Sequence, residues 1–169
     1  MTSRFCSIIF LYVEISWGDM NILNIEKITD CDHLNLYSLA YKSKTNCEKN
    51  WVFASRLEEP VVLKTGTSIP DAVVIVPYHT VEQKFVIIKE FRVVLGGYQY
   101  GFPAGLIDED ESIEQAGKRE LFEETGLTIT KILKKSPAVF SSSGLTDESV
   151  SLLFVECCGL PSSEFNEDS

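Results

Sequence analysis

Carboxylate side chains are concentrated in one short segment of this chain. Glu120, Glu123 and Glu124 lie within five consecutive residues, directly after Arg119. Glu120 and Glu124 are four residues apart, so on a helix their like charges repel by roughly 0.2–0.5 kcal/mol, and by more when partly buried. One arginine does not neutralise three acids, whereas Mg²⁺ prefers oxygen ligands and keeps free positions for substrate phosphates. The spacing therefore predicts a divalent-metal site that acts on a phosphate compound.

The glutamates need a helix to hold them, and the sequence marks both of its ends. Ser112 followed three residues later by Gln115 is a capping box, which starts a helix. Gly126 stands where a helix C-terminus requires a left-handed residue. We therefore predict one helix over residues 113–125.

The position of the glutamates on that helix decides between two interpretations. A glutamate-rich helix is most often a solvated surface helix. At 100° per residue, however, Ile113 and Ala116 fall on the same side as the three glutamates. We expect these apolar residues to pack on a sheet, so that the glutamates emerge at the edge of the core.

The rest of the chain predicts mostly strands. Runs of β-branched and aromatic residues alternate with turn-forming residues, including a hairpin turn within residues 41–50. Many strands around one well-marked helix indicate an α+β domain. The predicted strands are Trp51–Arg56, Val61–Lys64, Ala72–Pro77, Phe85–Phe91, Tyr98–Phe102, Ile129–Leu133 and Val150–Val155.

A wider pattern surrounds the glutamate helix. Gly105 is followed after five residues by Glu111, and after seven more by Arg119–Leu127, which reads RELFEETGL. This arrangement resembles the complete signature of the Nudix hydrolases and outweighs the interpretation of a plain surface helix. The resemblance implies the Nudix fold, a mixed β-sheet sandwiched by helices, and divalent-metal hydrolysis of a diphosphate bond. Mg²⁺ is the implied cofactor, with Mn²⁺ as an alternative.

Segments outside this signature resemble one branch of the family, the ADP-sugar (ADP-ribose) pyrophosphatases. The resemblance covers roughly residues 51–156 and implies that ADP-ribose is converted to AMP and ribose 5-phosphate. Two other functions stay open: hydrolysis of a different nucleotide diphosphate, and non-catalytic binding of a nucleotide sugar, which the intact glutamates disfavour. The segments that carry the resemblance are Trp51–Arg56, Glu90–Arg92, Gly96–Tyr98, Phe102–Asp108, Ser136–Val139 and Gly144–Glu148.

The resemblance also implies roles at the metal. Ala104 would bind the ion through its backbone carbonyl, and Glu120 and Glu124 through their side chains. Glu123 would assist, and Arg119 would orient the glutamates.

For the substrate, the resemblance implies that Trp51 stacks on adenine and that Leu106 lines the site. Arg56 and Arg92 would hold the diphosphate or the terminal ribose. Each of these residues has a structural alternative: tryptophan is often a core aromatic, and arginines often form surface ion pairs.

Three departures from the family pattern loosen the substrate assignment or the choice of base. Gly101 and Ser143 stand where the family often has a glutamate and a proline. The sequence also stops where the family usually continues with an acidic loop, a strand and a helix, so we expect a C-terminal truncation. The general base often comes from that loop. Glu167 is our first candidate for the base, and Glu148 is the second.

The domain division follows from the same resemblance. Residues 20–65 form an N-terminal strand region for substrate and dimer contacts, and residues 66–169 form the Nudix domain. Residues 1–19 are an extension of doubtful status, because the apolar run Phe5–Val13 is too short to span a bilayer and no cleavage site follows it. Met20 is an alternative start. The resemblance implies a homodimer with exchanged N-terminal strands.

Composition excludes several other classes of protein. The 169 residues suit one domain, and a net charge of -10 argues against a nucleic-acid-binding surface. The five cysteines include no C-x-x-C pair, so neither a disulfide framework nor a zinc site is expected. His33 and His79 lack metal-ligand spacing and are expected to be structural or solvated. We predict a cytoplasmic protein with no membrane partner.

Overall fold

The structure, a computed structural model, describes residues 21–63 and 69–166. These ranges contain eleven strands and one α-helix, as expected for an α+β domain that is mostly sheet. Within them, no helix has the length and apolar composition that crossing a bilayer requires. The elements are β1 (Asn21–Lys27), β2 (Asn35–Lys42), β3 (Glu48–Ser55), β4 (Ala72–His79), β5 (Lys84–Phe85), β6 (Ile88–Arg92), β7 (Gly97–Gly101), β8 (Ala104–Leu106), α1 (Ile113–Thr125), β9 (Thr128–Lys135), β10 (Val139–Phe140) and β11 (Ser149–Cys158).

The N-terminal strands form a three-stranded antiparallel sheet in the order β1-β2-β3. β2 and β3 pair without a break from Asn35↔Ser55 to Lys42↔Glu48. Asn46 in the connecting turn has a φ of 58°, a left-handed conformation that asparagine tolerates better than most residues. The hairpin predicted within residues 41–50 is therefore present.

The central sheet has six strands and is mixed. Its main path is β10-β11-β4-β5, with β8 also paired to β4 and β9 also paired to β11. β4 and β11 run parallel over eight residue pairs, whereas the other pairs are antiparallel. Helix α1 packs on this sheet. Residues 21–63 and 69–166 contain no second α-helix that could form another layer.

The core lies between α1 and the two parallel strands. Alternate residues of β4 and β11 point to the helix, as the two-residue repeat of a strand dictates. Gly117 of α1 lies so close to Leu153 of β11 that a methyl group on the glycine would overlap the leucine side chain. The fully buried side chains of this core are Val73, Ile75, Ala116, Leu121, Leu127, Leu153, Val155 and Cys157.

The predicted strand Phe85–Phe91 is wrong as a single element. β5 ends on the central sheet at Phe85, and the Val86 N–H donates to the Pro77 carbonyl (3.0 Å) before the chain leaves the sheet. β6 then pairs with β7 in a separate hairpin, from Ile88↔Gly101 to Arg92↔Gly97. The β6–β7 hairpin and α1 line the same cavity.

The predicted strand Val61–Lys64 is also wrong, as far as the structure describes it. Residues Val61–Leu63 form a 3-10 turn, in which the Leu63 N–H donates to the Pro60 carbonyl (2.9 Å). The Val61 N–H donates to the carboxylate of Asp147 (2.9 Å) instead of to a neighbouring strand. A distant side chain thus replaces the ladder that a strand would need.

Candidate active site

Helix α1 begins and ends where the sequence predicted. The Ser112 side chain accepts a hydrogen bond from the Gln115 N–H, and the Gln115 side chain accepts one from the Ser112 N–H. Gly126 has a φ of 71° and donates its N–H to the Phe122 carbonyl. These caps satisfy backbone groups that a helix end leaves unpaired, and they fix which residues of α1 face the sheet.

Glu120 lies against the edge strand β8. A methyl group added to Gly105 would overlap the Glu120 carboxylate, so only glycine leaves room for this side chain. The Glu120 side chain is 13% exposed. Burial raises the pKa of Glu120, and the nearby Arg119 guanidinium partly opposes that rise.

Glu124 is bound to the same strand. Its Oε2 atom accepts a hydrogen bond from the Ala104 N–H (3.1 Å). The N–H and C=O of one strand residue lie on the same side of the strand, so the Ala104 carbonyl also faces away from β4. Burial raises the pKa of Glu124 to about 7, although the Ala104 hydrogen bond opposes the change.

Arg119 is the centre of a carboxylate network. Its Nε and Nη2 atoms donate to the two oxygens of Glu111 at 3.1 and 2.8 Å. Its Nη1 atom contacts Glu120 at 2.6 Å and Glu123 at 3.4 Å. A further bond from Nη2 reaches the Leu106 carbonyl (3.0 Å). One guanidinium thus connects the loop after β8 to two glutamates of the helix.

Glu111 is a site residue whose role the sequence did not reveal. It belongs to the signature, but its bidentate contact with Arg119 spans eight residues and a change from loop to helix. The hydrogen bonds from Arg119 hold the pKa of Glu111 below its usual range. Its fixed spacing from Arg119 was the available signal.

A cavity of about 990 Å³ opens beside the glutamates. Glu120, Glu123 and Glu124 line one side, and the Glu123 side chain is 47% exposed to it. The β6–β7 hairpin forms another wall, and a third comes from the C-terminal segment 161–166. Ligand pockets commonly measure about 300–1,000 Å³, so this space suits a nucleotide-sized molecule.

The residues at the cavity fit a hard divalent cation in donor type and charge. Two partly buried carboxylates have raised pKa values, because burial disfavours their charged forms. A bound cation would favour those charged forms. In their present rotamers, Glu120 turns to Arg119 and Glu124 to Ala104, and no three His, Cys, Asp or Glu side chains of the described ranges converge to hold an ion.

The structure places three of the predicted substrate residues, Trp51, Arg56 and Leu106, outside the lining of the large cavity. Trp51 is 49% exposed and donates its Nε1–H to the Gly144 carbonyl (3.2 Å). The Arg56 Nε atom donates to Glu148 (3.1 Å). Arg56 and Leu106 line a second, smaller cavity of about 320 Å³. Neither Trp51 nor Arg56 lines the large cavity of its own chain.

Arg92 lies nearer the helix glutamates. It is on the β6–β7 hairpin and pairs with Glu90 (2.8 Å). Its charge lowers the pKa of Glu124, whereas the charge of Glu90 raises it. The structure therefore brings Arg92 towards the glutamates and keeps Arg56 at the smaller cavity.

Only one of the two candidates for the general base lies within the described residues. Glu167 lies outside the described residues. Glu148 is described, and its carboxylate accepts hydrogen bonds from Arg56 and from the Ser141 hydroxyl (3.2 Å). It therefore lies with Arg56 and not among the residues that line the large cavity.

His79 has a structural role, as expected. The side chain is 5% exposed, its Nε2 atom lies 3.0 Å from the Gly159 carbonyl, and its Nδ1 atom accepts the Glu82 N–H. His33 is exposed. The cysteines in the described ranges are free thiols.

The loop–helix–loop from Gly105 to Leu127, carried on a mixed sheet, defines a class of α+β domain that presents an acidic helix to a cavity. A family model for the NUDIX domain matches residues 69–168. The chain belongs to the Nudix family. The resemblance inferred from the RELFEETGL signature is thereby confirmed.

Relatives with curated names agree with the branch inferred from sequence. The chain is 34% identical over 134 residues to the ADP-ribose pyrophosphatase of Saccharomyces cerevisiae, covering 79% of this chain and 56% of the yeast protein. It is 34% identical over 139 residues to the ADP-sugar pyrophosphatase of Mus musculus, covering 79% of this chain and 60% of that protein. The chain thus spans a little over half the length of both relatives.

A solved structure supports the Nudix fold. The crystal structure of an ADP compounds hydrolase matches with a TM-score of 0.65 and 25% identity, covering 92% of this chain and 76% of that one. The fold predicted from the sequence is confirmed.

Proposed function

We propose that this protein is a Mg²⁺-dependent Nudix hydrolase that cleaves the diphosphate bond of an ADP-sugar. ADP-ribose, the substrate in the name of the yeast relative, would yield AMP and ribose 5-phosphate. The observation that carries the proposal is that Glu120, Glu123 and Glu124 line one cavity of nucleotide size. A surface helix would instead direct these side chains into bulk solvent.

The metal would be held by Ala104 and two glutamates. The Ala104 carbonyl and the carboxylates of Glu120 and Glu124 are oxygen donors, which suit Mg²⁺ and also accept Mn²⁺. When bound, the ion would neutralise the diphosphate and lower the pKa of a coordinated water. Without such a charge, the acidic cavity would repel a nucleotide diphosphate.

Arg119 and Glu111 would act by holding the glutamates in place. The bidentate Arg119–Glu111 pair ties α1 to the loop after β8, and the remaining guanidinium nitrogen holds Glu120. Glu123 lines the same cavity and is more exposed than Glu120, which supports a role in assisting at the reacting phosphate.

The substrate would occupy the large cavity with its phosphates towards the glutamates. Arg92, on the β6–β7 hairpin that forms one wall of this cavity, would contact the diphosphate or terminal ribose. Trp51 would stack on adenine, Arg56 would bind a phosphate or ribose, and Leu106 would line the site. The half-exposed indole of Trp51 supports this role, because an accessible aromatic ring can stack on a base.

The general base is assigned to Glu167, with Glu148 as the alternative. The chain from Pro161 to Asn166 lines the large cavity, which supports a base contributed by the residues that follow it. To act as the base, Glu148 would have to break its hydrogen bonds with Arg56 and Ser141.

A homodimer would complete the site. Trp51 and Arg56 lie on or just after β3 and do not line the large cavity of their own chain. A second copy could supply them across an interface made by the N-terminal sheet.

The proposal also includes the domain division and the localisation. Residues 20–65 would serve substrate and dimer contacts, residues 66–169 would form the Nudix domain, and the protein would work in the cytoplasm.

Product analysis after incubation with ADP-ribose tests the function directly. With Mg²⁺ present, we expect AMP and ribose 5-phosphate, and with a chelator present we expect neither. A panel of other nucleotide diphosphates separates the ADP-sugar assignment from other Nudix activities. Binding of ADP-ribose without any hydrolysis would contradict the enzymatic proposal.

Glu124→Gln is the decisive variant, since the amide keeps the hydrogen bond from Ala104 but loses the negative charge. Hydrolysis should be abolished. Glu114→Gln is the matched control, because Glu114 lies in the first turn of the same helix and pairs with Lys135 (2.7 Å) outside the site. Full turnover by Glu124→Gln would refute the metal-ligand assignment.

A further inference from the structure

The carboxylate of Asp147 holds the segment that contains Arg56. Its Oδ2 atom accepts hydrogen bonds from the Ser55 hydroxyl (3.0 Å) and from the Val61 N–H (2.9 Å). Ser55 is fully buried. The two donors lie on either side of Arg56 in sequence, so one carboxylate oxygen fixes both ends of the turn that carries the arginine.

Asp147 belongs to a loop that lies along β3. The Ala54 N–H donates to the Leu145 carbonyl (2.8 Å), and Ala54 forms a parallel bridge with Thr146. Trp51 reaches the Gly144 carbonyl of the same loop. Both residues proposed to bind substrate from the N-terminal region therefore contact the segment 144–148.

The orientation of Arg56 depends on this loop. Its Nε atom donates to Glu148 (3.1 Å), which directly follows Asp147. Because an Arg56 side chain that is 41% exposed would otherwise sample many rotamers, its backbone and its ion-pair partner together set where the guanidinium points. Asp147 holds the backbone around Arg56 and is adjacent in sequence to Glu148, the ion-pair partner of Arg56.

Removal of the Asp147 side chain would take the acceptor away from two hydrogen-bond donors of the turn. The Ser55 hydroxyl would lose its acceptor while fully buried, and the Val61 N–H would lose the bond that replaces a strand partner. Unpaired buried donors are unfavourable, so the turn would rearrange. Arg56 lies within that turn and would move with it.

We propose that Asp147 is a positioning residue that sets the substrate-binding geometry of Arg56. This inference rests on the proposed function, in which Arg56 binds the nucleotide diphosphate. Asp147 does not line the large cavity and touches neither Glu120 nor Glu124. Its loss therefore weakens substrate binding and leaves the chemistry at the glutamates unchanged.

A double-mutant cycle on the full chain tests the inference with ADP-ribose and Mg²⁺. Asp147→Ala should raise KM about tenfold and change kcat less than about twofold, as loss of uniform binding does. In an Arg56→Ala background, Asp147→Ala should have almost no further effect on KM, because residues that act through one another are not additive. Asp147→Asn keeps an acceptor oxygen and should restore part of the affinity.

Asn35→Ala is the matched control for a purely structural effect. The Asn35 side-chain oxygen likewise accepts one backbone N–H, from Cys31, and one hydroxyl, from Thr29. It lies opposite Ser55 in the N-terminal sheet, and its side chain hydrogen-bonds with Thr29 and Cys31 rather than with the loop 144–148. A similar drop in thermal stability with an unchanged KM is expected. If Asp147→Ala does not fold, Ser55→Ala removes one of the two bonds and serves in the same cycle.

The outcomes separate the two proposals. If the wild-type protein hydrolyses ADP-ribose while Asp147→Ala leaves KM unchanged, lowers kcat alone or adds fully to Arg56→Ala, only the positioning role is refuted. If the wild-type protein neither binds nor hydrolyses ADP-ribose, the proposed function fails and the inference fails with it.

Discussion

At the scale of single residues, Gly105 shows how closely helix α1 approaches the edge strand β8. Gly105→Ala should displace the Glu120 carboxylate, because the new methyl group would overlap it. Displacement of a catalytic group by about 1 Å lowers rates by on the order of 10²-fold, and we expect a fall in kcat/KM of that size for ADP-ribose. Gly101→Ala is the control, since a methyl group there meets no atom within 4 Å. Equal activities of the two variants would contradict the contact.

The raised pKa of Glu124 predicts that the stability of the metal-free protein depends on pH. Its pKa rises from 4.5 to about 7 on folding, so the folded state binds the proton more tightly than the unfolded state. The resulting destabilisation is absent below about pH 4.5, grows as the pH rises towards 7 and is complete above it. Glu124→Gln removes the group that causes it.

The measurement is denaturant unfolding in a chelator at pH 5.5 and pH 8.5. Each pKa unit corresponds to about 1.4 kcal/mol, but Glu124 is only partly buried, so we expect Glu124→Gln to gain about 1–2 kcal/mol at pH 8.5 and less at pH 5.5. The same substitution at the more exposed Glu123 serves as the comparison. An identical gain for Glu124→Gln at both pH values would contradict the burial of this carboxylate.

At the scale of elements, Gly117 distinguishes helix propensity from packing. Alanine in place of glycine inside a helix is favourable by about 1 kcal/mol. Here the added methyl group would overlap the side chain of Leu153, which is fully buried. Overpacking of a core is unfavourable by about 1–3 kcal/mol, so we expect Gly117→Ala to lower the free energy of unfolding. A stabilised variant in urea unfolding would show that α1 packs less closely on β11.

The N-terminal sheet is the element that a dimer would use. Leu36 and Val52 lie on the same face of β2 and β3, and 41% and 53% of their surfaces are exposed. A lysine at either position would introduce a charge into an interface formed there. On the opposite face, Tyr37 and Leu39 are buried within the chain, whereas Trp51, which pairs with Leu39, is half-exposed.

At the scale of the whole molecule, the proposed homodimer predicts a mass of about twice the 19.0 kDa of the chain in sedimentation equilibrium. Val52→Lys should dissociate the dimer and reduce activity, since Trp51 and Arg56 would no longer reach the cavity of the other copy. Val81→Lys, at a valine that is 76% exposed in the turn before β5, is the control and should leave the dimer intact. A wild-type monomer with full activity would refute the shared site.

The sequence alone determined the glutamate-bearing helix α1. Its capping box, its C-terminal glycine and the spacing of its glutamates depend on neighbours within four residues, and the structure reproduces each of them. The apolar runs rich in β-branched residues likewise predicted the core strands β4 and β11. Local hydrogen bonds and side-chain periodicity depend on residues that are close in sequence, so the sequence alone is enough to predict them.

Only the tertiary structure decided how that helix is held and what faces it. Residues that are distant in sequence meet in four contacts: Glu124 with Ala104, Glu120 with Gly105, and Asp147 with both Ser55 and Val61. The sequence predicted a strand at Val61, because its β-branched side chain favours one, but a carboxylate 86 residues away provided the hydrogen bond instead. Such contacts depend on the path of the whole chain through the sheet, and no short stretch of sequence encodes that path.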